Sequence, residues 1–194
     1  MDSKLKLIVD SFGDSKVKLD EPLKDHTLLQ VGGKASLFFV AFSNREIIKI
    51  EEMARDLKIP LFIFGTGSKI MMESGFRGVV IKNRTSNIQV VGVKGKVSRA
   101  GMGVAEAVVE VDAGVSLNKL SEFLDSQKLQ SGGIKNVPGT VGGNLFLNRF
   151  LRDSVKMVKA IEEGSTEEIK IESLNLRKHV ILSVVFNFKA SGDV

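Results

Sequence analysis

At 194 residues, with 43% hydrophobic and 26% charged side chains, the chain has globular composition and lies far from the polar, highly charged mixtures that stay disordered. It contains no cysteine, which excludes disulfides, thiolate nucleophiles and cysteine metal sites, and its two histidines, His26 and His179, have no metal-ligand spacing. The net charge of +5 permits an anionic or phosphorylated ligand, but the 28 basic residues are spread along the chain, and no aromatic-basic interleaving marks a nucleic-acid surface.

The start, "MDSKLKLIVDSFGD", lacks a basic segment followed by a long apolar one, and no run approaches the roughly 20 apolar residues of a membrane span. The expectation is a cytoplasmic protein without membrane contact. In "SNREIIKIEEMARDLKIP", Ile47, Ile50, Met53, Ala54 and Leu57 recur at helical spacing, with Ser43 and Glu46 placed as a capping box and Pro60 beyond the end. "LFIF" then reads as a buried strand, "GTGS" as its turn and "GVVI" as the next strand.

From Ile88 to Val111 the pattern becomes an antiparallel ladder of "IQVVGV" and "VAEAVVEV". Ser116 caps a second helix whose face is Leu117, Leu120, Phe123 and Leu124. The polar stretch "EEGSTEE" reads as an exposed turn and "HVILSVVFNFK" as a last strand. With no repeat or long linker, two lobes are expected.

Two glycine-rich segments carry the chemistry. A loop that brings main-chain N–H groups to a phosphate needs residues without a Cβ, because it turns sharply and approaches the oxygens closely. Gly65 and Gly67 meet that need, and Ser68 adds a hydroxyl. Alone, the segment reads first as a tight turn and second as a phosphate cradle, since the dinucleotide fingerprint would want glycine where Ile70 stands. "VPGTVGGN", Val137 to Asn144, is a second segment able to pass close to a ligand, or a glycine-tolerant loop.

Together with "EPLKDHTLLQVGGKASLFFV", "IPLFIFGTGSKIMMESGFRGVVI", "VDAGVSLNKL" and "GGIKNVPGTVGGNLFLN", these segments resemble the UDP-N-acetylenolpyruvoylglucosamine reductase (MurB) family of peptidoglycan synthesis, in register from about Glu21 to Asn148. The resemblance implies an α+β, two-lobed FAD-binding fold of the MurB / vanillyl-alcohol-oxidase (PCMH) type, with lobes at 1–84 and 85–194 clasping an extended FAD. It places Gly65, Thr66, Gly67 and Ser68 on the pyrophosphate; Lys69 stands where the family has asparagine and is read as a point charge able to pair with a phosphate. Ala113 and Gly114 pass close to the cofactor, and Pro138, Gly139, Thr140, Val141, Gly142 and Gly143 lie against pyrophosphate and isoalloxazine. Val31, Gly32 and Gly33 resemble a matching turn, assigned to structure rather than contact, as is His26.

The family passes hydride from NADPH through flavin to a UDP-sugar. The resemblance puts its proton-donating serine and helper glutamate in a C-terminal substrate domain with no counterpart in this sequence. A third family group, an arginine in a Tyr-Arg-x-Ser motif, has only the weak match Arg177, since the chain has no tyrosine and His179 stands in the serine's place. Gln30, Lys69 and "NRFLRD" are further departures. Three readings stay open: an FAD-binding module not competent for the full reaction alone; a minimal oxidoreductase using NAD(P)H, a protein electron partner, a partner chain or a homo-oligomer; and a cofactor-less remnant acting through protein contacts.

Overall fold

The computed structural model describes residues 3–13, 15–98 and 101–192, and divides into two compact units, Met1–Thr85 and Ser86–Val194. In the first, α1 (Ser3–Phe12) leads into β1 (Val17–Pro22), a 3-10 turn (Leu23–His26) and β2 (Lys34–Ala41). These are followed by α2 (Asn44–Asp56), β3 (Leu61–Phe64) and β4 (Phe76–Asn83), so the strand expected at 78–81 is eight residues long. The sheet order is β1-β2-β4-β3, with β1 antiparallel and β2, β4 and β3 mutually parallel; β3, expected as a buried strand, is thus an edge strand with only Phe64 buried.

Both faces of this sheet are covered. Helix α2 starts where expected: the Ser43 side chain accepts from the Glu46 N–H and the Glu46 carboxylate accepts from Ser43 N–H, closing the capping box. Its buried Ile47, Ile50 and Ala54 pack against β2 and β4. Phe12 of α1 meets Phe39 edge-on at 4.8 Å. Strand alternation puts Phe38 and Val80 on the opposite face, where they join Leu23, Ala35 and Phe64, with Ile70 and Met72 packed over them.

The second unit is a five-stranded antiparallel sheet, order β5-β6-β9-β7-β8. Its strands are β5 (Ile88–Ser98), β6 (Gly101–Asp112), β7 (Val155–Glu162), β8 (Ser165–Ile169) and β9 (Val180–Lys189). Between β6 and β7 come α3 (Leu117–Ser126), α4 (Val141–Asn144) and α5 (Arg149–Ser154). One face carries the core, including Val109, Val111, Val184, Phe186 and Phe188 from the strands and Leu117, Leu120 and Leu124 from α3. The other face is polar: Glu110 accepts from Lys159 and Ser183, and Glu106 from Lys94 and Asn187.

Two expectations change here. The turn in "EEGSTEE" is only Glu163 and Gly164, both at positive φ (47° and 88°), the backbone that two-residue hairpins need to follow strand twist. Ser165 to Glu168 therefore belong to the edge strand β8, exposed but paired to β7. "NRFLRD" is a helix: Asn148 caps it by accepting from Leu151 N–H at 3.0 Å, Leu151 enters the core, and the Phe150 ring stacks 5.7 Å from Phe188. Arg149 pairs with Asp153 one turn on, which places a residue the sequence left without a role.

Candidate functional site

The "GTGS" segment leaves the C-terminal end of β3 and turns back over the face that holds Phe38 and Phe64. Gly67 is the pivot. It sits at φ +73°, and a Cβ there would lie 2.3 Å from the His26 carbonyl oxygen, so only glycine fits without displacing backbone. Leu28 N–H donates to the Gly67 carbonyl at 3.1 Å, which ties the loop to the segment after the 3-10 turn. The N–H groups of Thr66, Gly67 and Ser68 donate to no acceptor among the described residues. Thr66 Oγ1 donates to Ser68 Oγ at 3.3 Å, and Thr66 and Lys69 are exposed.

His26 is the support beneath this pivot, consistent with the structural role read from sequence. Its ring stacks on Phe38 with centroids 4.1 Å apart, and its Nε2 lies 2.8 Å from Glu21. Glu21 also accepts from Lys18 at 2.8 Å. Burial opposes ionisation of Glu21, but the hydrogen bonds and attraction of Lys18 and His26 outweigh it and hold the carboxyl below its usual value. Glu46 is lowered in the same way: burial is outweighed by Lys16 and by the Phe42 and Ser43 N–H groups.

A carboxyl depressed in the folded state stabilises fully above its unfolded pKa and loses that stabilisation as pH falls through the lower folded value. Acid unfolding of this unit is therefore expected to set in below about pH 4.5, the reference value for both groups. Glu21→Gln should flatten the acid limb of a stability-versus-pH curve measured by urea unfolding.

Gly32 and Gly33 sit where a side chain has no room. A Cβ at Gly32 would meet Leu23 Cβ at 2.9 Å, and one at Gly33 would meet Gly75 N at 2.5 Å. Gly33 N–H donates to Met72 and its carbonyl accepts from Leu23 N–H, so these residues brace the segments on either side of the first glycine loop.

The second unit brings Ala113, Gly114 and residues 138–143 together. Val141 N–H donates to Val115 O at 2.8 Å, Gly142 N–H to Ala113 O at 2.9 Å, and Gly143 N–H to Thr140 Oγ1 at 3.3 Å. Those three donors are spent inside the chain. Gly142 is needed for the approach, since its Cβ would stand 3.0 Å from Ala113 Cβ. Ala113, Thr140 and Val141 are buried, which leaves Pro138, Gly139, Gly142 and Gly143 as the accessible part of the segment.

Asn144, which sequence reading passed over, holds this loop. It is 1% exposed, and its Nδ2 donates to the carbonyls of Pro138 (3.3 Å) and Thr140 (3.0 Å). Asn144→Ala is expected to cost about 2 kcal/mol in urea unfolding, because two carbonyl bonds are lost at a buried site. Asparagine at the end of a glycine tract was the available signal.

Arg177 is exposed, in the turn before β9, and its N–H donates to the Asn175 side chain at 2.9 Å. His179 points inward instead: its Nδ1 accepts from Asn175 N–H at 2.9 Å, and Nε2 lies 3.0 Å from Glu162, poorly aligned for a hydrogen bond. No group of three or more His, Asp or Glu able to hold a metal occurs among the described residues.

Comparison with known proteins supplies the family. A profile described as "FAD binding domain" matches residues 35–150, more than half of the chain. The chain belongs to the FAD binding domain family. Its relatives include the UDP-N-acetylenolpyruvoylglucosamine reductase of Syntrophomonas wolfei, 30% identical over 180 residues, 88% of this chain and 56% of that protein. The enzyme of the same name from Geobacillus kaustophilus is 28% identical, over 96% of this chain and 62% of that one. The chain thus spans about half to three-fifths of the length of these relatives.

Solved structures agree on the fold. The reductase from Thermus caldophilus superposes with a TM-score of 0.66 at 21% identity, over 91% of this chain and 63% of that one. p-Cresol methylhydroxylase gives 0.65 at 12%, over 100% of this chain and 45% of that one. The α+β flavoprotein fold and FAD as its cofactor follow from the family and fold together. No helix among the described residues is long and apolar enough to cross a membrane.

Proposed function

We propose that these residues are the FAD-holding module of a flavoprotein related to the UDP-sugar reductases, with Gly65, Thr66, Gly67 and Ser68 on the pyrophosphate. The observation that carries this is the set of N–H groups at Thr66, Gly67 and Ser68 that have no acceptor among the described residues, on a loop whose shape depends on glycine. Donors aimed at a phosphate form charge-assisted bonds, roughly twice as strong as neutral ones. Lys69 is exposed at the end of the same loop. In the second unit, Gly114, Pro138, Gly139 and Gly143 are the residues assigned to the cofactor, with Ala113, Thr140, Val141 and Gly142 shaping the surface they present.

FAD, when bound, supplies hydride acceptance and donation, which the side chains cannot. The chain's own part is to bind and orient it. No residue here matches the serine and glutamate implied for the reductase's protonation step, so a UDP-sugar reaction would need those groups from another segment or chain. Electrons would come from NAD(P)H or a protein partner, in the cytoplasm, with a homo-oligomer or a partner chain completing the substrate side. Arg177 is exposed and is not assigned a catalytic role in this reading.

Titration calorimetry with FAD tests this reading. Binding near one FAD per chain supports it, and no heat at protein concentrations well above micromolar removes it.

A further inference from the structure

Strands β2, β3 and β4 are parallel and end together at Ala41, Phe64 and Asn83. In open α/β sheets, ligands collect outside such carboxyl ends. Lys82 stands in this position. It pairs in register with Phe64, the residue immediately before Gly65, and with Val40 on the other side.

Adjacent strands are about 4.8 Å apart, and side chains alternate between faces. Lys82 therefore shares the face of Val80 and Phe64, which is also the face the 65–72 loop covers with Ile70 and Met72. It is half-buried there, and it has no hydrogen bond or ion pair among the described residues. Arg84, two residues on, is exposed and likewise lacks an anionic partner.

An unpaired cation at the edge of an apolar cluster is costly unless something anionic meets it. Burial, and secondarily the charge of Arg84, push the Lys82 ammonium below the usual lysine range. No carboxylate among the described residues approaches it to repay that cost. In the neighbouring loop the N–H groups of Thr66, Gly67 and Ser68 donate to no acceptor among the described residues, so these donors and the two cations suit a negatively charged ligand at this sheet end.

We infer that Lys82 is an anion-binding residue of the phosphate loop, giving the pyrophosphate of the bound dinucleotide a charged contact from the adjacent strand. The inference rests on the FAD reading above and adds to it a residue outside the glycine loop. It also assigns the loop a preference: a flavin carrying a pyrophosphate should be held through Lys82, and riboflavin, which has no phosphate, should not.

The test compares wild type, Lys82→Met and Lys82→Arg by calorimetry with FAD and with riboflavin, and by thermal unfolding without ligand. Methionine keeps the volume and removes the charge. Lys82→Met is expected to weaken FAD by about 10- to 100-fold, the worth of a hydrogen bond to a charged group, leave riboflavin unchanged, and unfold no earlier than wild type. Lys82→Arg should retain most of the FAD affinity. Equal FAD affinity in wild type and Lys82→Met overturns the inference and leaves the FAD reading intact, and so does an equal loss for FAD and riboflavin, which marks a packing role. If wild type binds no FAD, the functional reading fails, and inorganic pyrophosphate then decides. Protection from thermal unfolding that disappears in Lys82→Met upholds the anion site, while equal or absent protection overturns it.

Discussion

Gly67→Ala is expected to weaken FAD binding by about 100-fold, roughly 2.7 kcal/mol, and to be the most damaging single-methyl change in the first glycine loop. Two effects act together. The residue sits at φ +73°, where a side chain is strained by about 1–2 kcal/mol. The new Cβ would stand 2.3 Å from the His26 carbonyl oxygen, so the loop must lift off by about an ångström to reach ordinary contact. Lifting it breaks the Leu28 to Gly67 bond and re-aims the donors of Thr66, Gly67 and Ser68. Each bond to a charged oxygen is worth about 1.5–3 kcal/mol, so the loss of one or two accounts for the factor. An alanine variant that binds FAD as wild type does would show that the pyrophosphate lies elsewhere.

Phe38→Ala is expected to cost about 3–5 kcal/mol of stability, the range for emptying a buried aromatic site. Phe38 is 1% exposed, stacks on His26 at 4.1 Å and faces Phe64 at 6.4 Å. Its removal takes the floor from under the His26 carbonyl that positions Gly67, so FAD affinity should fall along with the urea midpoint. Phe38→Leu, which refills much of the space without the ring stack, should recover most of the stability and less of the affinity. Recovery of both in equal measure would separate the ring stack from the loop.

The elements that could be read from sequence were those with a local rule behind them. The capping box at Ser43 and Glu46, the apolar run of β3, the Ser116 cap and the alternation of β5 and β6 are each specified within a few residues. Helix α5 was not legible because its content, "NRFLRD", is polar at four of six positions; what fixes it is the Asn148 cap and the fit of Phe150 beside Phe188 and over Gly132. The site divides in the same way. Glycines mark where backbone comes close, but not to what: Gly67 closes on His26 of its own chain, 41 residues earlier, and Gly142 on Ala113. The spent donors at Val141 and Gly142 follow from contacts with Val115 and Ala113, about 26 and 29 positions away, which no local pattern encodes, whereas the Gly143 donor is spent on the Thr140 cap three residues earlier. Lys82 was invisible for a related reason, since its neighbour Phe64 is brought beside it only by parallel pairing.

The most direct test of the account is a visible absorption spectrum of the purified protein after incubation with excess FAD and desalting. The chain has no tryptophan and no tyrosine, so retained flavin would dominate the near-ultraviolet and visible trace. The account predicts a flavin band that survives desalting at close to one FAD per chain in wild type and is lost in Gly67→Ala. A desalted wild-type protein with no flavin band would contradict it.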